Sequence, residues 1–179
     1  MITFPTVGIR SMTMRLRSAV AMSQSPFTFD QQVYQHQGVI WEAEITLPPL
    51  KQSDAKAVEA FLARCRGMKE TFMLGSPLHN IVATGAITSA SIGDTTVTGT
   101  LTGAGAGDYF QINNTLHIIT AVGSGEFEVM PPMRAAVTTS TSLDFTLPQG
   151  QWRLATNEVN WSINEASIYG FTFPIIEAL

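Results

Sequence analysis

Hydrophobic and polar residues alternate along two stretches near the start of the chain, which predicts two β-strands. The first stretch, SMTMRLRS, places Met12, Met14 and Leu16 on one side and polar residues on the other. The second, VIWEAEITL, alternates in the same way. A period of two is typical of a strand with one buried face. The residues predicted to face inward from the second strand are Val39, Trp41, Ala43, Ile45 and Leu47.

The outward faces of these two strands carry opposite charges. Arg15 and Arg17 lie on the first strand, and Glu42 and Glu44 lie on the second. Opposite charges across neighbouring strands stabilise a strand pair by roughly 0.2–1 kcal/mol per contact. We therefore expect the two strands to pair with each other.

A helix is predicted from Asp54 to Arg66. Apolar residues recur there at i, i+3, i+4 and i+7, which places them on one face. Ser53 or Asp54 is expected to cap its start, and Gly67 is expected to adopt the left-handed conformation that ends it. The apolar face consists of Val58, Phe61, Leu62 and Cys65.

Further strands are predicted after the helix and near the end of the chain. MKETFML shows an imperfect alternation, whereas VNWSIN and YGFTFPII alternate clearly, with aromatic residues on the face predicted to point inward. The residues that define these patterns are Met68, Thr71 and Phe72 in the first, Val159, Trp161 and Ile163 in the second, and Tyr169, Phe171 and Phe173 in the third.

The composition of residues 80–142 differs from that of the flanking segments and predicts a small all-β insert of four or five strands. They are rich in Gly, Thr, Ser and Ala, and they contain the short β-type runs TTVTGTL, DYFQIN, TLHIITAV and EFEVMP. Asn113 and Asn114 separate two of these runs and favour a tight hairpin turn, because Asn tolerates positive φ. A second turn is expected at GSG, residues 123–125.

These elements together predict a mainly β fold with a minor α component. The aromatic strands at the end of the chain need partners, and the strands at its start offer matching faces. We expect residues 1–79 and 143–179 to form one split β-barrel or sheet core with a flanking helix, interrupted by the insert at 80–142.

The composition suggests a surface that other molecules cover. Hydrophobic residues make up 45% of the 179 residues and charged residues 13%, about half the usual charged share. The net charge of -4 argues against a protein that coats nucleic acid phosphates. We see no secretory signal and no run of the roughly 20 apolar residues that a membrane span needs, so we expect assembly in the cytoplasm.

Candidate chemistry is sparse, and we expect neither an enzyme nor a metal or cofactor site. GAGAGDY, residues 103–109, lacks the spacing and the following helix of a phosphate loop and is interpreted as a turn. His36, His79 and His117 lack metal-binding spacing, and Cys65, on the apolar face of the helix, is expected to be a core residue. Glu42 and Glu44 lie about 7 Å apart on one strand face, where solvation or ion pairing explains them.

Several strings resemble the minor tail proteins of bacteriophages with long, non-contractile tails and of related prophages. FLARCRGMKETFMLGSPLH fits their pattern of a short helix ending in Gly followed by a Thr-Phe-x-Leu-Gly-x-Pro strand. Ser76 departs from the usual acidic residue there. AGDYFQI, MPPMRAAV, WRLATNEVNWSI and YGFTFPIIEAL agree in the same order. The residues that fit the first pattern are Phe61, Leu62, Gly67, Thr71, Phe72, Leu74, Gly75 and Pro77.

The resemblance implies a distal tail protein of the phage tail tip. Such proteins form a ring, commonly hexameric, that joins the tail tube to the central hub, so the expected partners are further copies of the chain, the tube protein and the hub protein. It implies no membrane partner and no specific nucleic-acid binding, although DNA passes through the ring. The candidate structural and interface residues are Arg15, Arg17, Trp41, Glu42, Glu44, Phe61, Leu62, Phe72, Trp152, Trp161, Tyr169 and Phe171.

Two other classes of function stay open at this point. The insert is a candidate receptor- or glycan-binding module of the tail tip, although its aromatic residues are limited to Tyr109, Phe110 and Phe127. A cell-wall hydrolase would need His, Asp and Glu side chains gathered in a cleft, and the sequence offers only scattered ones.

Overall fold

The computed structural model describes residues 1–75, 80–163 and 168–179 and is mostly β, which confirms the predicted fold class. The described residues form one helix, α1 (Gln52–Cys65), and twelve strands. The strands are β1 (Ser11–Gln24), β2 (Gln31–Thr46), β3 (Phe72–Gly75), β4 (Thr84–Ser89), β5 (Thr96–Thr102), β6 (Tyr109–Ile112), β7 (Thr115–Val122), β8 (Glu126–Met130), β9 (Thr141–Ser142), β10 (Gln149–Leu154), β11 (Trp161–Ile163) and β12 (Tyr169–Glu177).

The first sheet brings the two ends of the chain together. Its strand order is β1-β2-β12-β10-β3, and β11 pairs with β12. The C-terminal strand β12 lies between β2 and β10, with Phe173 opposite Ile45 and Ile175 opposite Ala43. These four side chains are buried. The expected pairing between early and late strands is therefore confirmed.

The predicted pairing of the first two strands is also confirmed. β1 and β2 are antiparallel, with Arg15 directly opposite Glu42. The ion pair joins Arg17 to Glu42 at 3.1 Å. Because the Arg17 side chain is 73% exposed, the pair contributes at most about 1 kcal/mol.

Helix α1 covers the core of this sheet with the predicted apolar face. Ala55 is buried as well as the four predicted residues. The ring of Phe61 meets the edges of Phe4 and Phe72 at centroid distances of 5.1 and 5.0 Å. The predicted N-cap is wrong, because Lys51 occupies that position without a side-chain hydrogen bond.

The structure corrects the predicted strand MKETFML. Arg66 and Gly67 both have positive φ, at 52° and 66°, and they turn the chain sharply after the helix. Met68 consequently lies in the turn, 40% exposed, and β3 begins only at Phe72. Residues 76–79, which include Pro77 of the tail-protein pattern, the departure Ser76 and His79, lie outside the described part of the chain.

The structure also corrects the predicted inward face of VNWSIN. Val159 packs against the core, but Trp161 and Ile163 are 44% and 58% exposed. The reason is that β11 is a three-residue edge strand that pairs only with β12 among the described residues. Strand β10, by contrast, lies inside the sheet and was not among the predicted strands.

The second sheet forms a nearly closed barrel. Its order is β6-β7-β8-β5-β4-β9, and the amides of Gln111 and Asp144 each donate to the other's carbonyl at 2.9 and 3.1 Å, which links the two ends of the sheet. The sheet contains six strands, not the four or five predicted. Its core extends to Phe145. The predicted turn is confirmed by positive φ at Asn113 and Asn114.

Replacing Phe61 with Ala should lower the free energy of unfolding by about 3–5 kcal/mol, because the ring is 4% exposed and packed against two other rings. Phe27→Ala removes the same atoms from a side chain that is 91% exposed and should change it by less than about 0.5 kcal/mol. Urea denaturation of dilute protein measures both. A loss below about 1 kcal/mol for Phe61→Ala would show that the helix is not packed as described.

Candidate interaction surface

The distal half of the β1–β2 hairpin extends beyond the core. We call residues 19–38 the arm. Apart from Ser25, which is half-buried, and Gln37, the residues of the arm are exposed. The arm starts at an irregularity in the pairing, where Ser18 lies opposite Val39 but Val20 lies opposite Gln35. From Ser18 to Gln24 the strand rises by about 20 Å, so the arm reaches well past the core.

One face of the arm carries three apolar side chains that are exposed to solvent, together with Gln24, Gln31 and Gln35. Met22 and Val33 lie directly opposite each other and are each 60% exposed. Val20 lies two residues along on the same face and is 50% exposed. An isolated two-stranded hairpin is at best marginally stable in water, and contiguous apolar surface of this kind is typical of an interaction site.

The tip of the arm presents two aromatic rings on an ordered turn. Phe27 is 91% exposed and Phe29 is 70% exposed. The Phe29 amide donates to the Ser25 carbonyl at 3.0 Å, and the Ser25 amide donates to the Asp30 carbonyl at 2.9 Å. The Ser25 hydroxyl accepts from the amides of Phe27 and Thr28. The turn is therefore shaped before any partner arrives, which lowers the entropy cost of binding.

A buried ion pair lies at the root of the arm. Arg134, which follows β8, donates to both carboxylate oxygens of Glu177 on β12, from Nε at 3.2 Å and from Nη2 at 2.8 Å. Arg134 Nη2 also donates to the Val39 carbonyl, and the Trp41 amide donates to Glu177 Oε2 at 3.1 Å. One ion pair thus connects the second sheet to the first where the arm leaves the core.

A second contact strengthens this junction. The indole Nε1 of Trp41 donates to the carbonyl of Leu116 on β7 at 2.9 Å. Leu116 itself is buried in the core of the first sheet. The root of the arm is therefore held by both sheets.

An open groove of about 650 Å³ lies at the other end of β2. Its walls come from the start of β1, the segment after β2, and strands β11 and β12. The lining side chains include Arg10, Leu47, Pro49, Trp161, Ile163 and Tyr169.

The structure divides the predicted interface residues between core and surface. Six are buried in the core of the first sheet: Trp41, Phe61, Leu62, Phe72, Trp152 and Phe171. Glu42 and Tyr169 are half-buried, and Arg15, Arg17, Glu44 and Trp161 are exposed. Among the exposed residues, Trp161 lines the groove. Sequence reasoning missed the arm and Arg134. The string SPFTFD between two polar alternating runs was the available signal for the arm.

Two residues that could carry chemistry, His117 and Cys65, lie in the protein interior. His117 is fully buried, and its Nδ1 donates to the Pro131 carbonyl at 2.8 Å, since that oxygen can only accept. Burial lowers the pKa of His117 to about 4, so the ring is neutral at neutral pH. Burial raises the pKa of the Cys65 thiol to about 11, which makes that thiol unreactive.

The structure also bears on the glycine-rich segment, on metal-binding groups and on membrane-spanning helices. Gly103 and Gly107 have positive φ of 81° and 97°, which fits the turn interpretation of GAGAGDY. No group of three His, Cys, Asp or Glu residues suited to a metal ion occurs within the described ranges. Helix α1, the one helix among the described residues, is not long and apolar enough to cross a membrane.

Comparison of the chain with models of known protein families and with curated protein sequences found no match. The resemblance to tail proteins therefore rests on the motifs and stays a prediction.

Replacing Arg134 with Ala should lower the free energy of unfolding by about 3–5 kcal/mol, because it leaves the Glu177 carboxylate, 6% exposed, without its cation. Arg17→Ala breaks an exposed pair and should cost no more than about 1 kcal/mol. Thermal and urea denaturation at neutral pH compare the two variants. Equal losses would contradict the role assigned to the buried pair.

Proposed function

We propose that this protein is a structural, non-enzymatic subunit of a phage tail tip, of the distal tail type. In this proposal, several copies form a closed ring that joins the tail tube to the central hub. The tail-protein motifs support the assignment, and so does the low charged fraction of 13%, which suits a chain whose faces are covered in an assembly. The ring would be assembled in the host cytoplasm, and DNA would pass through it without sequence-specific contacts.

The arm is the observation that carries the proposal. Its apolar side chains Val20, Met22 and Val33 and its two tip rings are exposed in the single chain, and a two-stranded ribbon does not bury them by itself. A neighbouring copy supplies the missing cover. Because the arm reaches away from its own core, the contact places the arm of one copy on a different surface of the next. Such head-to-tail contacts generate rings when the rotation between copies closes.

The alternative, that the insert is a receptor- or glycan-binding module, is less well supported by the aromatic residues of the insert. Recognition of a sugar ring needs exposed aromatic faces. Phe110 and Phe127 are buried in the core of the second sheet, and Tyr109 packs against the core of the first.

Shortening the arm tests the proposal. Val20 and Gln35 lie directly opposite each other, so residues 21–34 can be replaced by Asn-Gly, which favours a two-residue hairpin turn. The shortened protein should unfold with the free energy of the full-length monomer but should not form the closed oligomer. Light scattering and negative-stain microscopy, with and without tube and hub proteins, follow the assembly.

The matched control is Thr88→Ala, on an exposed position of the second sheet, which should leave assembly unchanged. A full-length protein that stays monomeric in all these mixtures, or a shortened protein that assembles as well as the full-length one, would contradict the proposal.

A further inference from the structure

The tip of the arm and the groove lie at opposite ends of the same strand. The arm leaves the core at Val39, and the groove begins at Thr46 and Leu47. Thr46 lies seven positions after Val39 along the extended strand, which corresponds to about 24 Å. One copy therefore presents its tip at one end of the core and its groove at the other, which is the arrangement that head-to-tail association requires.

The groove offers apolar surface. Trp161 and Ile163 are 44% and 58% exposed, although both are residues that sheets usually bury. The indole of Trp161 lies 6.2 Å from the ring of Phe171, so a wall of the groove is aromatic. The groove volume of about 650 Å³ falls in the range of about 300–1,000 Å³ that holds compact ligand groups.

The tip and the groove also have opposite charges. Asp30 is the only carboxylate within the arm, and the arm contains no Lys or Arg. Arg10 is exposed at the groove and forms no ion pair with any residue in the described ranges. A tip with two aromatic rings and one negative charge thus matches a groove with apolar walls and one positive charge.

We infer that the groove is the receptor for the arm tip of a second copy, with Phe27 and Phe29 against Trp161 and Ile163, and Asp30 near Arg10. This inference rests on the proposed ring and specifies how its neighbouring copies meet. The partner is a copy of this chain because the chain itself supplies both complementary surfaces. Large aromatic anchors at the centre with a charge pair at the rim are typical of specific interfaces.

Disulfide trapping between two differently tagged variants tests the inference. One variant carries Phe27→Cys and the other carries Ile163→Cys, and the full chains are mixed under mild oxidation. Native Cys65 is fully buried and does not compete. The control pairs Phe27→Cys with Ser124→Cys, an exposed position in the turn between β7 and β8. We expect at least tenfold more covalent dimer from the first pair, because a disulfide needs Cα atoms within about 7 Å.

A charge exchange provides a second measurement that does not depend on cysteine chemistry. Arg10→Asp and Asp30→Arg should each weaken association severalfold, and the double variant should restore it. Sedimentation equilibrium measures the association constants.

The outcomes separate this inference from the proposed function. Preferential trapping of the Phe27→Cys and Ile163→Cys pair, with rescue by the charge exchange, supports both. If an oligomer forms but this pair yields no more covalent dimer than the control, the groove is not the receptor for the tip, and the proposed ring is unaffected. A chain that does not associate under any condition overturns both, and capture of the tip by the tube or hub protein instead of a second copy also overturns the groove assignment.

Discussion

Strand β2 is the constraint on which the rest of the structure depends, because one continuous strand belongs to both the core and the arm. Its C-terminal half buries Trp41, Ala43 and Ile45 between β1 and β12. Its N-terminal half, from Gln31 to Gly38, lies outside the core. The ladder is irregular where the two halves meet, between the Ser18–Val39 and Val20–Gln35 pairs. The position of the arm root therefore depends on the buried residues Val39 and Trp41 and on their hydrogen bonds.

The second sheet reinforces this constraint at one point. Arg134 reaches from the second sheet to Glu177 and to the carbonyl of Val39, and Trp41 bonds to both Glu177 and Leu116. Val39 and Trp41 are the first core residues after the arm. The insert therefore supplies the cation that stabilises the root of the arm. These contacts hold the root of the arm in place against both sheets.

The fold could be predicted from sequence wherever one face is buried. The alternation in β2 and β12 and the apolar face of α1 follow from burial, and the structure confirms them. The arm was missed because both of its faces meet solvent, so no clear apolar alternation marks it. The predicted orientation of β11 is wrong because Trp161 and Ile163 alternate with a polar residue, as core residues do, although β11 is an exposed edge strand. Arg134 lies in an irregular segment, and its partner Glu177 is 43 residues away, so no local pattern reveals the pair.

The central claim is that a second copy covers the arm and thereby stabilises its two strands. Amide hydrogen exchange along β1 and β2, measured from dilute monomer to concentrated protein, tests it most directly. We predict fast exchange at residues 19–24 and 31–36 in the monomer and strong protection on association, with residues 39–46 protected throughout. Equal exchange of the arm amides in monomer and oligomer would contradict the account.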